Sequence, residues 1–220
     1  MKVIGITGTN GKTTVTYLIK HCLEKAGHKC GLIGTNQNMI GDEVFETGRT
    51  TPDSIELQAI FSKMAQARVD YCIMEVSSHA LELDRVYGCH FRTAAFTNLT
   101  QDHLDVHGSM ENYYQAKKML FDKSESGLIN IDDMAGKRFR KEIPCPTKTY
   151  SAEEKADFYA EDIILSADGV KYVFCDRTSK HNVDFKMPGL FNVSNSLAVI
   201  ACCETLGFDV ETAIKYINSM

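Results

Sequence analysis

Gly8-Thr9-Asn10-Gly11-Lys12-Thr13-Thr14 is the stretch of this sequence best equipped for chemistry. Glycines let a loop turn tightly enough for backbone N–H groups to converge on phosphate oxygens, and a following helix adds the partial positive charge of its N-terminus. In that arrangement Lys12 reaches the β- and γ-phosphates, and the Thr13 hydroxyl is the natural ligand for Mg²⁺. The spacing is a variant of G-x-x-x-x-G-K-[ST]: two residues separate the loop glycines, and Ile6 stands at the usual first-glycine position. The plain alternative is a glycine turn that merely precedes a helix. Further along, Glu75 ends the apolar run Tyr71-Cys72-Ile73-Met74, while Asn98 and then Asp102-His103 follow the apolar Thr93 to Phe96.

The elements around these residues supply the context a phosphate loop requires. Lys2 to Thr7 is a short β-branched strand, and Thr14 to Ala26 carries Val15, Leu18, Ile19, Cys22 and Leu23 at helical spacing. Lys29 to Gly34 reads as a second strand. Thr35 to Asp53, polar and containing Gly41, Gly48 and Pro52, reads as a long loop or a hairpin. Asp53 is placed to cap a helix over Ser54 to Ala67. Met110 to Phe121 reads as a helix and Ser126 to Ile131 as a strand. From Ala156 to Phe185 the apolar residues alternate, which predicts an antiparallel hairpin region around Asp168-Gly169. Helices over Asn192 to Leu206 and Val210 to Ser219 close the chain.

Strands alternating with helices predict an α/β fold with a doubly wound, mainly parallel sheet, a P-loop and a small antiparallel β region. Ligands of such sheets gather at the carboxyl ends of the strands. The phosphate loop, Glu75 and the Asn98 to His103 segment all follow strand ends, so one crevice is expected to receive them.

Composition narrows the class. A chain of 220 residues suits one large α/β domain. A net charge of −5 argues against a general nucleic-acid binder. The eight cysteines form no C-x-x-C pair, and Cys22, Cys72 and Cys202 lie in apolar periodic segments, so reduced, cytoplasmic thiols are expected. No apolar run approaches the ~20 residues of a membrane span, and the chain opens with a strand rather than a basic then apolar leader, so neither export nor anchoring is expected.

Five blocks carry a resemblance: "GTNGKTT", "TTPDS", "EVSSHALELDRV", "FTNLTQDHLDVHGSMENYYQAKKMLF" and "GLFNVSNSLAVIA". In this order, spread over nearly the whole chain, they resemble the Mur ligase family, and within it the MurE branch. The resemblance implies the central domain of an ATP- and Mg²⁺-dependent amide ligase of peptidoglycan biosynthesis. Such a ligase phosphorylates the carboxylate of UDP-N-acetylmuramoyl-L-Ala-D-Glu and adds the third amino acid of the stem peptide.

It also implies roles for particular residues. Gly8, Thr9, Asn10, Gly11, Lys12, Thr13 and Thr14 would hold the ATP phosphates, with Asn192 and Asn195 near the adenine. Thr13 and Glu75 would hold one Mg²⁺; Glu75, His103 and Lys117, the last as an N-carboxylated (carbamate) side chain, would serve a second. Lys12, Glu75, His103 and Lys117 are the implied catalytic residues. Thr50, Thr51, Ser77 and Arg85 match positions that contact the muramoyl-dipeptide, while Leu83 stands where some relatives have a polar residue. Read singly, several have plainer roles: Ser77 and Thr50-Thr51 as cap and turn, His103 as a capping residue, Asn192 as a helix start, and Lys117 as an exposed lysine on an amphipathic helix.

Residues 1–220 are thus expected to form a single central domain. The uridine-nucleotide domain and the C-terminal domain that selects meso-diaminopimelate or L-lysine would lie outside it, so the isolated domain is expected to ligate weakly or not at all. A monomer with no nucleic-acid or membrane partner is expected. The alternatives are another Mur or folylpolyglutamate-type ligase, or an ATP-binding module without catalysis.

Overall fold

The computed structural model describes residues 1–101 and 107–220. Its described strands form one eleven-stranded sheet in the order β11-β10-β9-β8-β7-β6-β1-β5-β2-β3-β4. The centre is parallel: β1 (Lys2–Thr7) lies between β5 (Tyr71–Glu75) and β6 (Thr93–Phe96), with β2 (Cys30–Ile33) beyond β5 and β7 (Gly127–Asn130) beyond β6. The register pairs Ile6 with both Glu75 and Ala95, so the ends of β1, β5 and β6 come level. Every residue of β2, β5 and β6 is buried, as expected for parallel strands covered on both faces.

Helices cover those faces, and each face has its own core. On one, α1 (Lys12–Lys25), α6 (Leu190–Thr205) and α7 (Val210–Asn218) bury Val15, Leu18, Leu197, Ile200 and Ile214. On the other, α2 (Ser54–Gln66), α3 (Ser78–Glu82), α4 (Met110–Lys118) and α5 (Met134–Glu142) bury Leu57, Met64, Leu81, Tyr114 and Phe139. Each fully buried Leu or Phe of this kind contributes roughly 1.5–3 kcal/mol. The doubly wound expectation is met, and Asp53 caps α2 by accepting the Glu56 N–H at 3.0 Å.

The antiparallel strands are not an appendage. β3 (Asn38–Ile40) and β4 (Glu43–Phe45) extend one edge of the sheet as a hairpin; β9 (Phe158–Ser166), β10 (Gly169–Cys175) and β11 (Lys180–Phe185) extend the other as a meander. β9 joins the parallel part through β8 (Thr147–Ser151), to which it is itself parallel. The sequence pattern marks neither α5 nor β8. In α5 only Ala135, Gly136 and Phe139 are buried among charged neighbours, and β8 is polar throughout save Tyr150. Neither shows the apolar periodicity that marks a helix or strand.

All eight cysteines are free thiols. Burial pushes Cys30 and Cys202 up to about 12, so they stay protonated at neutral pH and act as small apolar side chains.

Candidate active site

The loop between β1 and α1 has the geometry its glycines foretell. Gly11 is the N-cap of α1 at φ 85°, and Gly8 has φ 147°. A Cβ on Gly8 would lie 1.9 Å from Thr97 Oγ1, and one on Gly11 would lie 2.6 Å from Asn195 Oδ1. Glycine is therefore required at both positions by conformation and by space. The first intrahelical bond of α1 runs from the Val15 N–H to Gly11 O, so the N–H groups of Thr13 and Thr14 belong to the turn that a helix leaves to outside acceptors.

Not every loop amide is offered to a ligand. The Thr9 N–H donates to Asn98 O at 2.9 Å, and the Asn10 N–H donates to Asn98 Oδ1 at 2.9 Å. In return Asn98 Nδ2 and Thr97 Oγ1 donate to Asn10 O at 3.1 and 2.6 Å. The segment after β6 thus holds the front of the loop in shape, while the helix end of the loop faces the crevice. Lys12 Nζ arches back over the loop, donating to Gly8 O and Thr9 O at 2.9 Å each.

Glu75, at the end of β5, is fully buried beside this loop. Its carboxylate accepts from Thr13 Oγ1 at 2.9 Å, from the Thr35 N–H at 3.0 Å and from Thr35 Oγ1 at 2.9 Å. Space for it exists because residue 34 has no side chain: a Cβ on Gly34 would stand 2.5 Å from Glu75 Oε1. A carboxylate and a threonine hydroxyl in contact at a helix N-terminus are hard oxygen donors of the kind Mg²⁺ selects. Among the described residues no three His, Cys, Asp or Glu side chains gather as a metal cluster, and Glu75 is the one carboxylate among the described residues that line the crevice. His103 lies outside the described residues.

Lys117 stands on the α4 side of the same crevice. It is 1% exposed, with Nζ 4.3 Å from the centroid of the Tyr113 ring, so the exposed-lysine reading does not hold. The neighbouring Lys118 engages Glu142 at 3.4 Å and does not line this crevice. The cavity, about 260 Å³, is lined by Gly8 to Thr14, Thr35, Thr50, Glu75, Ser77, Ser78, Tyr113 and Lys117. A larger hollow of about 580 Å³ between β11 and α7 has neither a glycine loop nor a buried carboxylate, so size alone does not locate the chemistry.

The remaining expected residues divide. Thr51 is fully buried: its hydroxyl donates to Glu75 O at 2.9 Å and accepts the Ser77 N–H at 3.0 Å. Arg85 Nη1 donates to Thr51 O at 3.2 Å, Ser77 Oγ caps α3 by accepting the Ala80 N–H at 3.2 Å, and Thr50 Oγ1 is 3.0 Å from Thr35 Oγ1. Thr50, Thr51, Ser77 and Arg85 therefore form one rim, with the cap role of Ser77 realised. Asn192 and Asn195, at the start of α6, bond each other at 3.1 Å, and Asn192 Nδ2 donates to Pro188 O at 2.8 Å. Asn195 also backs Gly11 of the loop.

Sequence reasoning missed Thr35 and Gly34. Both follow β2 at its carboxyl end, the position that singled out Glu75, and the same rule applied to β2 finds them. The His107 imidazole bonds Ser78 and Glu82.

The profile of the Mur ligase middle domain matches residues 6–203. The chain belongs to the Mur ligase family. Two curated relatives are the UDP-N-acetylmuramoyl-L-alanyl-D-glutamate--2,6-diaminopimelate ligases of Clostridium acetobutylicum (ligase 1), 49% identical, and Clostridium botulinum, 46% identical, each matched over 100% of this chain and 46% of the relative. A solved structure of a UDP-N-acetylmuramoyl-L-alanyl-D-glutamate--2,6-diaminopimelate ligase superposes with TM-score 0.92 at 31% identity, covering 100% of this chain and 46% of that one. The chain thus spans about half the length of these Mur ligases, 46% in each case. No helix among the described residues is long and apolar enough to cross a membrane.

Proposed function

We propose that this chain is the central domain of a MurE-type ligase, where ATP and the acceptor carboxylate meet. The whole enzyme would couple ATP cleavage to joining 2,6-diaminopimelate to UDP-N-acetylmuramoyl-L-Ala-D-Glu. The observation that carries the reading is the convergence of the glycine loop, the Thr13–Glu75 pair and buried Lys117 on one crevice. The relatives' shared name supports the substrates and the choice of diaminopimelate over L-lysine. Residues 1–220 are proposed to act as one domain, with the uridine nucleotide and the amino acid bound elsewhere in the full protein.

In this account Gly8 to Thr14 hold the triphosphate, and Lys12 leaves its loop carbonyls to follow the γ-phosphoryl group. Asn192 and Asn195 brace the loop from behind and border the adenine. Thr13 and Glu75 would hold one Mg²⁺; Glu75, His103 and Lys117, the last as a carbamate, would hold the second. Held there, Mg²⁺ would neutralise charge on the phosphate oxygens, the main requirement of phosphoryl transfer. Thr50, Ser77 and Arg85 present donors to the muramoyl-dipeptide from the rim that Thr51 fixes. The γ-phosphoryl passes to the D-Glu carboxylate, giving an acyl phosphate and ADP. The amine of the incoming amino acid attacks that carbonyl, and phosphate leaves from the tetrahedral adduct as the amide forms.

Replacing Lys117 by alanine in the full-length protein tests this. Ligation should be lost while nucleotide affinity changes by less than about threefold, a difference below 1 kcal/mol. Short carboxylic acids should restore part of the activity by standing in for the carbamate. Unchanged turnover would remove Lys117 from the mechanism.

A further inference from the structure

Behind the crevice lies a buried polar array that the proposed reaction does not use. His107 is 5% exposed; its Nδ1 is 2.9 Å from Glu82 Oε1 and its Nε2 2.9 Å from Ser78 Oγ. A carboxylate only accepts, so Nδ1 donates to Glu82 while Nε2 bonds the Ser78 hydroxyl. Both nitrogens are thus tied to α3, which fixes the plane of the imidazole. The plane is stacked on Tyr113 of α4, with ring centroids 4.7 Å apart and 23° between planes. A second tie runs the same way: Asn112 Nδ2 donates to His107 O at 2.8 Å.

Tyr113 in turn meets the working residues of the crevice. It is 1% exposed, its hydroxyl is 3.2 Å from Thr9 Oγ1 of the phosphate loop, and Lys117, one turn along α4, lies over its ring. Residues four apart on a helix share a face, so the Tyr113 ring fixes the path of the Lys117 side chain. We infer that His107 is a positioning residue for Lys117: clamped by Glu82 and Ser78, it holds the Tyr113 ring against which the lysine is laid. A fixed lysine is what carbamate formation and metal binding need, so the inference rests on the function proposed above for Lys117.

The test compares the reactivity of two adjacent lysines in the 220-residue chain. Acetic anhydride labelling in CO₂-free buffer, read by peptide mass spectrometry, gives the rate at Lys117 relative to Lys118. His107→Ala should raise this ratio by about fivefold or more, the equivalent of a lost packing contact, and His107→Phe, which keeps a stacking ring but loses both ties to α3, should raise it by less. Circular dichroism checks that each variant is folded. If His107→Ala does not fold, Glu82→Ala and Ser78→Ala, which each remove one tie, should raise the ratio together. A ratio within about twofold of the parent in the folded variants would overturn the inference, since that is the scatter of a neutral surface change. A separate spectrum with ¹³C-bicarbonate reports the carbamate itself. Its absence in the parent would count against the proposed role of Lys117, while the labelling ratio would still decide whether His107 positions the side chain.

Discussion

Replacing Gly34 by alanine tests how tightly the chain holds Glu75. Gly34 has no left-handed backbone angle, so alanine is conformationally acceptable and should by itself stabilise the fold by about 0.4–1 kcal/mol through the unfolded state. The added Cβ, however, would lie 2.5 Å from Glu75 Oε1 and 3.2 Å from its Cδ. Relief requires the carboxylate to withdraw, and Oε1 is the atom that accepts from Thr13 Oγ1 and the Thr35 N–H. Hydrogen bonds to a charged group contribute about 1.5–3 kcal/mol each, so losing one or both should outweigh the gain and leave a net loss of about 1–5 kcal/mol. Urea unfolding followed by circular dichroism measures it. The decisive comparison is the same change in a Glu75→Ala background, where the clash is gone and Gly34→Ala should turn stabilising by about 0.4–1 kcal/mol. An equal cost in both backgrounds would show that Gly34 is needed for something other than room for the carboxylate, and no cost in either would refute the packing argument.

Other outcomes follow from the same geometry. Thr35→Val keeps the shape but removes one hydroxyl donor to Glu75, and should cost about 1.5–3 kcal/mol of stability in urea; an unchanged midpoint would show that this bond contributes nothing. Gly11→Ala sets a Cβ 2.6 Å from Asn195 Oδ1 at a left-handed φ of 85° and should weaken nucleotide binding, with Asn195→Ala recovering only the steric part in a titration of the double variant. Burial, reinforced by Lys25, holds the His21 imidazole below its ordinary 6.5. The unfolded chain then takes up the proton first, so stability should be full above pH 6.5 and fall as the pH drops below it. His21→Gln should flatten the melting temperature between about pH 7 and about pH 5.5, and an unchanged slope would contradict the assignment.

Much of the fold was legible because its central strands are apolar runs and its main helices carry apolar residues three and four apart. Lys2–Thr7, Thr93–Phe96 and the Asp53 cap fall where the sequence places them. What escaped notice has little apolar signal: α5 turns a mostly charged surface to solvent, and β8 buries threonine and serine through hydrogen bonds rather than hydrophobic contact, as when Thr149 bonds Asp157 at 2.9 Å. In the site, the loop residues and Glu75 were readable from their place at strand ends. Local rules cannot reveal Gly34 making room for a carboxylate 41 positions later, or Asn98 tying down loop amides 88 positions away. Those relations arise only when the parallel register sets the strand ends side by side. Lys117 shows the same limit in reverse, since its helix looks solvent-facing until Tyr113 and the phosphate loop cover it.

The most direct test of the central claim is a calorimetric titration of the 220-residue chain with a non-hydrolysable ATP analogue and Mg²⁺, run beside Lys12→Ala. The account predicts one saturable site in the parent and a loss of about 1.5–3 kcal/mol of binding energy in the variant, the contribution of a charge-assisted phosphate contact. Equal affinity in the two proteins, or no binding by a parent chain that a thermal melt shows to be folded, would contradict the claim that this loop is where the nucleotide is held.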